Sequence, residues 1–392
     1  MIGSAHITRN EEQNLIMYFV EQLAKKYNRE YWLEKAEKRE FLKEMWQDIA
    51  KQGYFGILIP EEYGGAYMGL DAARVFVEAL ASHGLATLHF IAFFMNCALL
   101  TKWCNERQRS EWLPQLASGT FCSFAITEPN AGTNMFKIST LATKEGEYYR
   151  IRGQKIFVTG AKESKYMVLV CRTIPFDRVE DKRHGLSIFF IEPHIDGIKM
   201  HALDMLTIAP ENQYIVYFDD ALISAKCLIG EENKGFRYIF DLLNPERVLV
   251  AALCVGYGRY VLSKAVKYVS ERTIFEEPIG SYQAVQHMLS RAYVELELAE
   301  LATQRAAELY DSGADASLVG AYANMAKLAA SEAAFKACDI AVQVHGGYGF
   351  VKEYDIMTVL PLVRVARIAP VNNEMILNYI GQHILRLPKS YK

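Results

Sequence analysis

The 392-residue chain has no C-x-x-C pair: its seven cysteines stand at 97, 104, 122, 171, 227, 254 and 338, no two closer than seven residues. That excludes a clustered zinc site or a redox dithiol, and an odd, scattered set suits reduced thiols in a cytoplasm-like compartment. Charge of one sign is not in excess either, with 43 Lys and Arg against 46 Asp and Glu for a net of −3. Without a basic field, nucleic-acid binding loses its electrostatic footprint. Long apolar runs are missing. The most apolar early stretch, residues 90–100, is broken by Asn96 and is too short to span a bilayer. Residues 1–13 are polar and lack the apolar stretch of a signal peptide. A cytoplasmic protein with no membrane span is expected. There is no internal repeat, no G-x-G-x-x-G after a strand, no Walker loop, no H-E-x-x-H and no G-x-S-x-G. The nine histidines lack ligand spacing, so no metal is expected.

What is present is apolar bulk: 51% hydrophobic residues and 23% charged ones can bury a large core and rule out a disordered or collagen-like chain. The length predicts two to three domains. Residues 10–120 read as helical, with one stripe at Leu15, Ile16, Phe19, Val20 and Leu23 and another at Phe41, Leu42, Met45, Trp46 and Ile49. Pro60, Gly64 and Gly65 mark a loop, and Gly84 marks a break. The character changes near Phe121. Short apolar or alternating runs follow at 149–152, 156–158, 167–171, 186–191 and 213–218, separated by Gly and Pro as in a small antiparallel barrel or sandwich. Helix returns at 238–269, 282–309, 318–344 and 374–387. Strands and helices that do not alternate argue against a doubly wound sheet. The reading is an α+β chain of three domains, 1–120, 121–231 and 232–392.

Three clusters could carry chemistry. Residues 124–134, with Thr127 and Thr133, mix hydroxyls with a Pro/Gly turn and could hydrogen-bond a planar heterocycle or a carbonyl; alone they are an ordinary polar turn. Residues 343–350 put glycines at a helix end, which stop a helix and also admit a phosphate or ribityl chain. In the third, Glu246 shares a helical stripe with Leu242, Leu243, Leu249 and Val250. A carboxylate there is either a salt-bridged or snorkelling side chain, or a general base whose pKa burial has raised.

Together these segments resemble the acyl-CoA dehydrogenase family, in order and spacing, over nearly the whole chain. The resemblance rests on T-E-P-x-A-G at 127–132, G-x-K-x-x-x-T at 153–159, Arg272-Thr273-Ile274-Phe275 followed by Gln283, and the 343–349 segment. It implies an N-terminal helical domain, a middle β-domain and a C-terminal four-helix bundle, with FAD between the last two. By position, Phe124, Ile126 and Thr127 would lie along the isoalloxazine, and Phe157 and Thr159 would cover the flavin and bond its N5 region. Thr133 would meet the substrate and pyrophosphate side, with Arg247 also on the substrate side. Arg272, Phe275 and Gln283, with Gln343, Gly346 and Gly347, would hold the nucleotide of a neighbouring subunit. Asn372 and Glu374 match the last flavin contacts. A homotetramer and an electron-transfer flavoprotein as electron acceptor are implied.

Many members place the base directly before Gly-Thr late in the chain. Aligned without gaps, Pro370 occupies that position, and Pro361-Leu362 replaces an Arg-Asp pair. Proline cannot accept a proton. Isovaleryl-CoA and long-chain acyl-CoA dehydrogenases instead carry a Glu before an Arg on another helix, which here is Glu246-Arg247. Pro245 is expected to kink that helix or restart it with Asn244 as cap. The implied reaction is α,β-dehydrogenation of an acyl thioester: Glu246 takes the α-proton and the β-hydrogen leaves as hydride to flavin N5. Alternatives are an aminoacyl or prolyl thioester on a carrier protein, a flavin monooxygenase on the same fold, and a degenerate subunit without activity. Side chains such as Phe90, Phe94 and Met95 are candidates for setting acyl length.

Overall fold

The computed structural model describes residues 10–389 and falls into two compact units, each discontinuous in sequence. One holds residues 33–69 and 87–243; the other holds residues 70–86 and 244 onward together with the segment up to Trp32.

Among the described residues, eleven α-helices are formed: α1 (Glu11–Lys26), α2 (Arg29–Lys38), α3 (Lys43–Lys51), α4 (Leu70–Ser82), α5 (Leu88–Trp103), α6 (Glu106–Ala117), α7 (Gly235–Glu271), α8 (Gln283–Asp311), α9 (Ala316–His345), α10 (Leu360–Val365) and α11 (Asn373–Tyr379). Between α6 and α7 run β1 (Cys122–Ala125), β2 (Leu141–Glu145), β3 (Tyr148–Thr159), β4 (Tyr166–Arg172), β5 (Leu186–Ile191), β6 (Ile198–Ala202), β7 (Gln213–Ser224) and β8 (Leu228–Ile229). A small hairpin, β9 (Thr273–Ile274) and β10 (Glu277–Pro278), joins α7 to α8.

In the first unit the strands form one sheet in the order β6-β7-β3-β2-β4-β5-β8, with β1 added beside β4. The expected antiparallel pattern holds except at β1–β4 and β2–β4, which are parallel. The β2–β3 hairpin lies between β1 and β4 in sequence, so β1 meets β4 through a crossover rather than a turn. Strand β3 alternates buried and exposed side chains and so has one wet face, whereas every residue of β4 is buried. The core of this sheet includes Tyr149, Ile151, Val158, Leu169, Phe189 and Phe218. Helix α5 is buried almost all round and has no polar face. Its Phe90 and Phe94 belong to an aromatic core: Trp46 stacks on Phe55 at 4.2 Å and on Phe90 at 5.1 Å. Both rings are fully enclosed, spent on their neighbours rather than on a water-sized space for an acyl chain.

In the second unit, α1 buries Ile16, Val20 and Leu23 while Leu15 turns outward, so the first stripe is narrower than its sequence implies. The long helices α7, α8 and α9 replace the expected runs nearly residue for residue, and the late run at 374–387 ends earlier as α11, followed by a π-turn at residues 380–384. Buried Arg259 of α7 bonds Glu78 at 2.5 Å, Glu297 at 2.6 Å and also Glu300, tying α7 to α4 and α8. Pro245 neither stops nor restarts α7, which runs through it. Asn244 is no cap; its side chain accepts from Arg247 and donates to the Ala316 carbonyl. None of the seven cysteines is paired, and all but Cys227 are buried.

Candidate active site

In the sheet unit, the end of β1 feeds the segment Ile126–Thr127–Glu128. A tight turn then closes through reciprocal backbone bonds between Glu128 and Ala131. The Ile156 N–H donates to the Thr127 carbonyl at 2.8 Å, which lays this segment along β3. Beneath it is a buried ion pair. Lys155 Nζ sits 2.8 Å from Glu128 Oε1 and also donates to the Ile126 carbonyl at 2.9 Å. Glu128 further accepts from the Ser139 and Thr140 N–H groups and from the Ser139 hydroxyl. Burial alone would push the Glu128 carboxyl up, but the Lys155 ammonium and these donors hold it at about 2.

Strand β3 slips register between Lys155 and Val158, and in that bulge Phe157 takes φ +57°. A non-glycine residue in the left-handed region is strained, and such strain gathers at functional sites. The bulge throws the Phe157 ring outward, 55% exposed. Two residues on, Thr159 Oγ1 donates to Gln213 Oε1 at 3.1 Å. Ile126, Thr127, Phe157 and Thr159 are thus brought together on one tied strip, with half-buried Phe124 at its root. Thr133 lies exposed on the loop beyond the turn.

In the helical unit, Glu246 is a half-buried residue on α7 whose Oε2 is shut from solvent without a hydrogen-bond partner. Burial pushes its carboxyl up to about 8, and the nearby Arg247 and Lys327 cations act in the opposite direction. Arg247, brought down to about 10 by burial, donates to Asn324 Oδ1 at 2.5 Å and to Asn244. The segment after Pro370 is fixed from α9: Lys327 Nζ reaches the Val371 carbonyl at 2.6 Å and Asn373 Oδ1 at 2.8 Å. Asn372 caps α11 through the Met375 N–H, and Glu374 is exposed beside it.

The remaining predicted residues of this unit form an exposed group. Arg272 roots the β9–β10 hairpin, Phe275 at its tip has φ +60° and is 91% exposed, and Gln283 begins α8. At the end of α9, Gln343 and Gly347 are exposed. A Cβ on Gly346 or Gly347 would meet nothing within 4 Å, and Gly346 adopts φ +58°. Tyr268, one turn before Arg272, stacks on His345 at 4.2 Å, so the hairpin root and the glycine loop are neighbours.

In the helical unit, Arg272 beside an open diglycine loop offers a cation and close backbone approach, which suit a phosphate-bearing nucleotide; in the sheet unit, Phe157 on its bulge offers an aromatic face, which suits a planar ring. Patterns for the N-terminal, middle and C-terminal domains of acyl-CoA dehydrogenases match residues 10–120, 123–221 and 233–385. Acyl-CoA dehydrogenase FadE12 of Mycobacterium tuberculosis is 38% identical over 384 residues, 97% of this chain and 98% of that protein. The chain belongs to the acyl-CoA dehydrogenase family. Butyryl-CoA dehydrogenase of Megasphaera elsdenii superposes with TM-score 0.91 at 26% identity, covering 97% of this chain and 100% of that one. Glutaryl-CoA dehydrogenase in its glutaryl-CoA complex gives TM-score 0.91 at 26% identity, covering 99% and 98%. As an acyl-CoA dehydrogenase it has the family's fold, with helical, β-sheet and helical domains in order, uses FAD and oxidises CH–CH bonds of acyl-CoA thioesters.

Two features of this acyl-CoA dehydrogenase were not legible beforehand. Glu128 lies in the 127–132 motif and Lys155 in the 153–159 motif, but nothing in the sequence pairs residues 27 apart. Lys327 gives a weak sign, a lone lysine in the alanine-rich run 326–330.

Proposed function

We propose that Glu246 is the general base of this acyl-CoA dehydrogenase, taking the α-proton of the bound thioester. The observation that carries this reading is its carboxyl oxygen Oε2, buried and without a partner, on a helix whose other stripe residues are apolar. A carboxylate that makes no hydrogen bond within the protein keeps its lone pairs for substrate. Pro370, in the seat used by many relatives, has no group that accepts a proton. Bound flavin supplies the acceptor for the β-hydride. Around it, Ile126, Thr127, Phe157 and Thr159 would form the isoalloxazine wall from one side. Arg272, Phe275, Gln283, Gln343, Gly346 and Gly347 would take the nucleotide of a neighbouring copy, with Asn372 and Glu374 as the last contacts. Thr133 and Arg247 are assigned to the substrate side.

The same reading makes the enzyme a cytoplasmic homotetramer that passes electrons to an electron-transfer flavoprotein. The nucleotide-binding residues are exposed on a single chain, and Val294, Leu298 and Leu301 on α8 repeat at helical spacing with more than half of each surface in solvent. An apolar stripe of this kind calls for a protein partner. Among the described residues, no helix is long and apolar enough to cross a membrane.

The test is Glu246→Gln, loaded with FAD and mixed without oxygen with butyryl-, octanoyl- and palmitoyl-CoA. A positioned base is worth about 10² to 10⁴ in rate, so flavin bleaching should fall by that factor while thioester binding persists. Bleaching at the wild-type rate removes Glu246 from the mechanism.

A further inference from the structure

Helix α9 presents Asn324, Lys327 and Ser331 on one face, since residues three and four apart are neighbours on a helix. All three are buried, Lys327 completely. Each is tied to a different piece of the same site. Asn324 accepts from Arg247, the residue after Glu246. Lys327 holds the Val371 carbonyl and Asn373, immediately beyond Pro370. Ser331 exchanges hydrogen bonds with Asn373, whose amide also reaches Glu332 at 2.7 Å. One helix face therefore joins the turn that carries Glu246 to the segment whose customary base has been lost.

The hydrogen bonds of the Lys327 ammonium go to a carbonyl and an amide oxygen. Burying a cation among neutral acceptors is costly unless a nearby anion gains from it. The charged and titratable groups around this pair are few. Glu246 faces Arg247 on its own helix and Lys327 from α9; Lys327 faces Cys254, Arg247 and Glu246 on α7 and Glu374 on α11, and burial brings it down to about 8, so it is charged near neutral pH; Arg247 faces Tyr379 on α11.

We propose that Lys327 is a positioning residue for the dehydrogenation: anchored on Val371 and Asn373, one helical turn from the Asn324 that holds Arg247, its ammonium adds to the Arg247 guanidinium the positive field that makes the Glu246 carboxylate available to the α-proton. The inference rests on Glu246 being the base. Lys327 touches no substrate in this role and acts through Glu246 alone.

Two pH titrations test it. One follows the infrared band of the protonated Glu246 carboxyl in the FAD-loaded enzyme without substrate, identified by its loss in Glu246→Gln. The other follows anaerobic flavin bleaching by whichever of butyryl-, octanoyl- and palmitoyl-CoA reacts fastest. Lys327→Gln keeps a donor for Val371 but removes the charge. It should move the infrared midpoint upward by about one pH unit. Bleaching near neutral pH should then fall about tenfold and recover as pH rises. Lys327→Arg keeps the charge and should hold the wild-type midpoint. Asn373→Asp sets a carboxylate against the ammonium and should raise the midpoint too, giving a second route should Lys327→Gln fail to fold. An unmoved midpoint in Lys327→Gln or Asn373→Asp, or bleaching reduced equally at every pH, overturns the proposal. If Glu246→Gln bleaches normally, the base assignment fails instead, and the infrared midpoints still report whether Lys327 controls Glu246.

Discussion

Lys155 and Glu128 form an ion pair inside the sheet, Nζ to Oε1 2.8 Å, with both side chains enclosed. The pair holds the strip of Ile126, Thr127, Phe157 and Thr159 together, since the same ammonium also bonds the Ile126 carbonyl. Removing one member of a buried pair strands the other and costs about 3–5 kcal/mol. Lys155→Met and Glu128→Gln should each lower the thermal midpoint and weaken FAD binding, read by recovery of flavin fluorescence. The double variant should lose less than the two single losses added, because the members are coupled. Additive losses would show that the pair does not act as a unit.

Glu246 gives a pH dependence with a definite sign. Its carboxyl titrates at about 8 when folded and near 4.3 when unfolded. Between those values the folded chain holds the extra proton, so stability from this group is intact below about 4.3 and is lost as pH rises towards about 8. Glu246→Gln cannot ionise and escapes the loss. Its thermal midpoint, compared with wild type, should therefore gain from about pH 5 to about pH 8 and level off above that. A difference that stays constant over that range contradicts the buried-carboxyl account.

Phe157 stores backbone strain at φ +57°, worth about 1–2 kcal/mol for an L-residue in that region. Phe157→Gly should raise the thermal midpoint of the apoprotein while weakening FAD binding, because the backbone relaxes but the ring is gone. Phe157→Ala keeps the strain and loses the ring, so it should weaken FAD without the gain. Unchanged FAD affinity in both variants would take Phe157 out of the flavin wall.

The α8 stripe predicts assembly. Leu298→Lys and Leu301→Glu each put a charge where a partner helix would bury 61% and 53% exposed leucines. Light scattering should show smaller species in both variants, with secondary structure kept. A wild-type chain that is already monomeric refutes the stripe's role.

Much of this was legible because helices advertise themselves: the runs behind α7, α8 and α9 are long and periodic. Glu246 could be singled out for the same reason, as a carboxylate out of place in an apolar pattern. The strands were harder. β1 ends in a Thr-Glu-Pro turn and is four residues long, β2 is polar at three of five positions, and edge strand β6 contains no fully buried residue. β1 and β2 lack the alternation that marks a half-buried strand, and β6, Ile-Lys-Met-His-Ala, shows it over only five residues. What escaped sequence reasoning at the site was pairing across distance, Lys155 with Glu128 and Lys327 with Val371 and Asn373. Nothing local announces such pairs, and only the folded backbone supplies them. At Pro245 the local penalty is real, yet tertiary packing carries α7 through it without a restart.

The placement of the sulfurs decides how the protein can be labelled. Six thiols are enclosed, and Cys227 alone opens onto a groove beside Trp112 and Phe190. Burial still pushes that thiol up to about 11, and the thiolate is the form that reacts. A maleimide dye should therefore attach slowly near neutral pH and at one sulfur per chain, giving a spectroscopic handle on the sheet unit that leaves every residue assigned to flavin or substrate untouched.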